Sequence, residues 1–207
     1  MCSIVSSLSK DKIKELIELN RYRGEHSCSI TYYDYVENRI VSIRRSLGSL
    51  DINDIKIPEN CYCICHQQAP TGKDNKDFAS IHPAEYVGQL LWHNGILKPK
   101  TIYQLQNEFG HETSWDSSLL LKKLWYYDIP VDIDGSFSCI YWSNQKFYVF
   151  RNEIAPLFID SEMNISSTKF DGGASLEPNI MHILDLQQKK VLNTQQTFNT
   201  MENPYAL

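Results

Sequence analysis

The sequence predicts an α+β layered fold. Strand-like segments rich in Ile, Val, Tyr and Thr lie on both sides of two central helical patterns, and the 207 residues are 42% hydrophobic, enough for a substantial core. A chain of this length forms one large domain or two small ones. No repeat or low-complexity linker divides it, so one domain over residues 2–200 is expected, followed by a tail, 201–207.

The elements follow in order. Residues 10–20 carry helical periodicity. Residues 28–36 and 39–44 read as a strand pair across Glu37-Asn38, and residues 61–67 and 86–93 read as core strands. Residues 101–109 and 116–126 read as helices. Gly110 closes the first, and Asp116 is placed to cap the second. Residues 136–142 and 146–151 flank Ser143-Asn144-Gln145, a hairpin signal. Residues 155–160 form a further strand pattern, and 180–186 and 190–198 flank Gln187-Gln188-Lys189.

Composition excludes several classes. The net charge of −5 and the lack of a Lys/Arg-rich run argue against a nucleic-acid surface. No apolar stretch approaches the ~18 residues of a membrane span. The N-terminus lacks the hydrophobic block of a signal peptide. Six cysteines without such a leader suggest reduced thiols and a cytoplasmic setting. Cys61, Cys63 and Cys65 alternate, so a strand would put them on one face. That spacing suits buried core residues better than a zinc knuckle. No Gly-rich phosphate loop or nucleotide motif is present, and neither a cofactor nor a metal is expected.

The second residue is cysteine, in Met1-Cys2-Ser3-Ile4-Val5. Once Met1 is removed, Cys2 carries a thiol nucleophile and an α-amine base on one residue. The amine titrates near ~7.7–8.0 and the thiol near ~8.5, so both are partly reactive at neutral pH. An early cysteine by itself means little. Further motifs accompany it: Tyr22-Arg23-Gly24-Glu25, Cys65-His66-Gln67-Gln68-Ala69-Pro70-Thr71-Gly72, His93-Asn94-Gly95-Ile96, and Trp115-Asp116-Ser117-Ser118 before an apolar run. Gly135-Ser136-Phe137-Ser138, Arg151-Asn152 and Pro156-Leu157 close the series. In this order, from Cys2 to about Phe198, they resemble the class II glutamine amidotransferases, the N-terminal-nucleophile glutaminases.

The resemblance implies a four-layer αββα sandwich of the N-terminal-nucleophile hydrolase type. It implies Cys2 as nucleophile, and Asn94 and Gly95 as donors to the oxyanion. Asp116 would bind the α-ammonium of glutamine, alongside or instead of capping its helix. Thr71 would line the glutamine site, unless it is only a turn hydroxyl beside Gly72. Arg23 would position the N-terminus, unless it is a surface arginine. His66 and His93 are expected to be hydrogen-bonded structural residues, because the α-amine already serves as base.

The pattern also breaks. Gln68 stands where the family has the arginine that grips the α-carboxylate, and a neutral amide cannot replace that bidentate, charge-assisted pair. Arg44, Arg45 or Arg151 would have to substitute, or glutamine binds weakly, or the substrate differs, or activity is lost. Ser3, Glu25-His26 and Ser118 depart from the family more mildly. The implied function is a stand-alone amidase hydrolysing the glutamine side-chain amide, with ammonia passing to a separate synthase partner where one exists. The alternatives are a catalytically silent binding module of the same fold and a γ-glutamyl amidase acting on a small γ-glutamyl compound.

Overall fold

Two antiparallel sheets stack face to face, with helices covering both outer surfaces, in a computed structural model that describes residues 2–69 and 78–199. Strand β1 (Ser3–Ser7) is followed by helix α1 (Lys10–Asn20). Then come β2 (Ser27–Asp34), β3 (Arg39–Leu47), β4 (Cys61–Gln68), β5 (Ala84–Tyr86) and β6 (Gln89–Leu97). Helices α2 (Pro99–Phe109) and α3 (Asp116–Tyr127) lead into β7 (Gly135–Ser143), β8 (Lys146–Arg151), the two-residue strands β9 (Phe158–Ile159), β10 (Ile165–Ser166) and β11 (Ala174–Ser175), then β12 (Ile180–Asp185) and β13 (Lys190–Thr197). One sheet runs β11-β9-β10-β1-β4-β2-β3, the other β13-β12-β8-β7-β6-β5.

Side-chain alternation assigns the layers. Ile4, Tyr62, Ile64, Trp92, Ile140 and Phe147 pack between the sheets. On the outer face of the first sheet, Val5, Ile30, Cys61, Cys63 and Cys65 meet Ile13, Leu16 and Ile17 of α1. On the outer face of the second, Leu91, Phe137, Cys139 and Phe150 meet Leu105, Leu119, Leu120, Leu121 and Leu124 of α2 and α3. The order is helix, sheet, sheet, helices: the αββα sandwich.

Local chemistry sets the element ends. Ser9 caps α1, its hydroxyl accepting from Lys12 N at 3.3 Å, and Ile13, Leu16 and Ile17 place the buried face at helical spacing. Helix α2 starts two residues before the expected Thr101. Pro99 occupies its first turn, where the missing N–H costs nothing. Gly110, at φ 100°, closes it. The expected strand 86–93 is instead a hairpin split by Val87 and Gly88, both at positive φ, with β6 running on to Leu97. The β7–β8 turn falls as expected, with Asn144 and Gln145 at φ 49° and 61°. The segment 155–160 is strand only at Phe158–Ile159, because the Asn152 carboxamide oxygen gathers the amides of Ile154 and Ala155 into a turn. Asp116 is the first residue of α3 rather than its cap.

Candidate active site

Strand β1 lies in the interior of its sheet, between β10 and β4. Ile4 points between the sheets and Val5 toward α1, so alternation aims Cys2, like Ile4, into the inter-sheet space. Cys2 is 9% exposed, and its Sγ lies 3.6 Å from the carbonyl oxygen of Ala69, just past β4. The buried Arg23 donates from Nε to the Cys2 carbonyl at 3.0 Å, which fixes the backbone at Cys2.

Across the gap, Leu90 and Trp92 of β6 face the inter-sheet core, which puts Asn94 on the same face. Its Nδ2 donates to Ser167 Oγ at 3.2 Å. Ser167 is tied to β1 in turn: Ile4 N donates to its Oγ at 2.9 Å, and its own N–H donates to Ile4 O at 3.0 Å. The carboxamide is thereby referenced to the strand that carries Cys2. Gly95 has φ 152°. A Cβ there would overlap the Ser136 carbonyl oxygen and lie 2.9 Å from His93 Nε2. Only glycine fits where β6 approaches β7 so closely.

Cys2, Arg23, Asn94 and Gly95 line one cavity of about 210 Å3, completed by Ile96, Ser136, Ile154, Ala155 and Pro156. Among the described residues, Arg23 is the charged side chain on its wall, and the 154–156 turn with Ile96 supplies an apolar side. Gly24 explains the Arg-Gly pair. A Cβ at Gly24 would lie 2.5–2.8 Å from the Gln68–Ala69 backbone, so the loop bearing Arg23 presses directly on the end of β4.

None of the other described candidates, Asp116 and Gln68 included, lines this cavity. Gln68 is buried at the end of β4, and its Oε1 accepts from Ser27 Oγ at 3.4 Å; it is not on the cavity wall. Asp116 stands at the start of α3, its Oδ2 accepting from Leu97 N at 3.3 Å and its Oδ1 from Ser117 N at 2.7 Å. Thr71 lies outside the described residues. Arg44, Arg45 and Arg151 do not reach the cavity. Arg44 binds Asp54 O, Arg45 binds Ile81 O, Pro83 O and Glu85, and Arg151 binds Leu176 O and Ser175.

Burial pushes the Cys2 thiol up, the Asp116 carboxylate adds to that, and Arg23 opposes it. His66 is wholly buried, bonded from Nε2 to His93 O at 2.9 Å, and desolvation pulls its pKa down to about 3. A neutral, carbonyl-bonded imidazole is a structural part, as expected of it. His93 bonds Ser117 Oγ from Nδ1 at 3.0 Å. Two residues about the site carry no motif in the sequence, Ser167 behind Asn94 and His82, stacked on His66 with ring centroids 3.8 Å apart; Ser117, behind His93, lies inside the Trp115–Ser118 motif but without a role assigned from sequence.

Neither a family model nor a curated protein matches the chain. Solved structures do. A glutamine phosphoribosylpyrophosphate amidotransferase from B. subtilis, complexed with ADP and GMP, aligns over 97% of this chain and 50% of its own, with TM-score 0.68 and 15% identity. A structure described as the allosteric regulatory enzyme of purine biosynthesis aligns over 97% and 50%, with TM-score 0.66 and 16% identity. A glutamine aminotransferase class-II domain protein from Silicibacter pomeroyi aligns over 95% of this chain and 100% of its own, with TM-score 0.50 and 10% identity. The chain spans about half the length of the first two. These likenesses establish the fold: an α+β, αββα sandwich of the N-terminal-nucleophile type. The resemblance read from the motifs points to the same fold.

Proposed function

We propose that this chain is a class II glutamine amidotransferase-like amidase with Cys2 as its nucleophile. The observation that carries the proposal is the convergence of Cys2, Arg23, Asn94 and Gly95 on one cavity from three separate parts of the sequence. Removal of Met1 exposes the Cys2 α-amine, which takes the thiol proton. The thiolate then attacks the side-chain amide carbon. The oxyanion that forms needs donors fixed in advance, and the Asn94 carboxamide and Gly95 N–H supply them. The C–N bond breaks as the proton held by the α-amine passes to the departing ammonia. Water cleaves the γ-glutamyl thioester to release glutamate and restore the thiol. Arg23 holds the Cys2 carbonyl throughout, so the nucleophile stays registered against β4. Asp116 receives the substrate's α-ammonium. Gln68, with no arginine other than Arg23 on the described wall, favours one second reading: a small γ-glutamyl amide other than glutamine.

Labelling with a diazoketone analogue of glutamine tests the proposal. The expected result is one adduct, mapped to Cys2, on protein whose intact mass lacks Met1. An adduct elsewhere, or active protein that retains Met1, would refute the mechanism.

A further inference from the structure

Behind the oxyanion strand, four side chains meet at one hydroxyl. Ser117 Oγ lies 2.9 Å from His82 Nε2, 3.0 Å from His93 Nδ1 and 3.2 Å from Asp116 Oδ1. Ser117, His82 and His93 are each no more than 3% exposed. A hydroxyl has one proton to give and two lone pairs to receive with. Three neighbours compete for that single proton, and the Asp116 carboxylate is the acceptor-only, charged member. A charge-assisted bond is the stronger one, so the proton goes there. Both imidazoles must then donate, His82 from Nε2 and His93 from Nδ1.

The orphaned atoms give the same answer independently for His82, while the second nitrogen of His93, Nε2, lies 3.5 Å from the Ser136 carbonyl oxygen, longer than an ordinary N–H···O bond. His82 Nδ1 is buried without a partner, as is His66 Nδ1. Buried N–H groups without an acceptor are rare, and a bare lone pair is the cheaper orphan. His82 therefore carries its proton on Nε2, facing Ser117, and His66 carries its proton on Nε2, facing His93 O.

This arrangement joins two parts of the site. Asp116 Oδ1 receives the hydroxyl, while its Oδ2 receives the N–H of Leu97, two residues beyond Gly95 on β6. The His93 ring hangs from the residue next to Asn94, and His66 holds that same residue by its carbonyl. We propose that Ser117 is a positioning residue for the reaction at Cys2: its hydroxyl accepts from His82 and His93 and donates to Asp116, orienting the carboxylate that meets the substrate's ammonium and bracing the His93-Asn94-Gly95 segment. The proposal rests on the reading given above for Asp116, Asn94 and Gly95.

Ser117→Ala removes the junction while leaving the Ser117 N–H on Asp116. With one hydrogen bond to a charged group lost, the glutamine KM should rise by about tenfold or more. As ground-state binding is what loosens, kcat should change much less. Ser117→Thr keeps the hydroxyl and should restore KM. Kinetics are normalised to Cys2 sites titrated by the diazoketone, so that loss of folded protein is not mistaken for loss of positioning. Long-range proton–nitrogen spectra of histidine-labelled wild type give a second reading that needs no turnover: protonated Nε2 on His82 and His66, and protonated Nδ1 on His93. An active wild type with unchanged KM in Ser117→Ala overturns the positioning role alone. A bare Nδ1 on His93, or a bare Nε2 on His82, overturns the junction itself. A wild type that neither hydrolyses γ-glutamyl amides nor labels at Cys2 removes the proposed function and this inference together.

Discussion

Gly95→Ala tests the close approach on which the proposed oxyanion geometry depends. At φ 152°, a Cβ would overlap the Ser136 carbonyl oxygen and lie 2.6 Å from its carbon and 2.9 Å from His93 Nε2. Forcing a side-chain residue into sparsely populated backbone costs about 1–3 kcal/mol. Overpacking a filled site costs about 1–3 kcal/mol more. The sum, roughly 2–6 kcal/mol, is a large part of the ~5–15 kcal/mol that stabilises an ordinary domain. At about 2–4 °C per kcal/mol for a chain of this size, Tm should fall by roughly 4–24 °C. Gly48→Ala is the comparator, because Gly48 has φ 87° and a Cβ there would meet no heavy atom within 4 Å. It should show the backbone cost without the collision. Urea unfolding of both variants separates the two contributions, and turnover per titrated Cys2 reports the displaced Gly95 N–H. A Gly95→Ala variant no less stable than Gly48→Ala would show that the Ser136 backbone does not confine this residue.

Two further outcomes follow from the same geometry. Gln68 is buried off the cavity wall, so Gln68→Arg should leave the glutamine KM unmoved; a KM lowered by the ~1.5–3 kcal/mol of a hydrogen bond to a charged group, with kcat little changed, would show that the end of β4 does face the substrate. His66, with its pKa pulled by burial down to about 3, is neutral in the fold but charged in the unfolded chain below ~6.5. The unfolded state then binds more protons, so stability should fall as pH drops from about 6.5 toward 3. His66→Gln should flatten that limb in urea titrations across pH, and an identical slope would remove burial of this imidazole as the cause.

What the sequence made legible depended on local signals. Helix α1 announces itself through the helical spacing of Ile13, Leu16 and Ile17, and its bounds fall at residues 10 and 20 as expected. Strand β4 showed alternating cysteines, and they do share the face beneath α1. Strand β1 gave no alternation because all five of its residues are buried, on both faces of an interior strand. The Val87-Gly88 turn was hidden because a β-branched residue at positive φ contradicts its own propensity. At the site, Cys2, Arg23, Asn94 and Gly95 stood out through motifs, and they line one cavity. Ser167 and Ser117 each stand beside a second serine, and their partners Asn94 and His93 lie 73 and 24 positions away, so spacing does not single them out.

All six thiols are free and buried, and they are distributed by layer. Cys28, Cys61, Cys63 and Cys65 share one outer-face cluster with α1 and with Leu50 and Ile55, Cys139 lies in the cluster of α2 and α3, and Cys2 lines the cavity. Each layer therefore carries its own chemical clock. A thiol reagent can modify a buried cysteine only when the element above it lifts away, so the rate at each position measures how often that element opens. Mass mapping of alkylation over time would rank the opening of α1 with the 50–57 segment, of the α2–α3 pair and of the strand beside Cys2, with no introduced label.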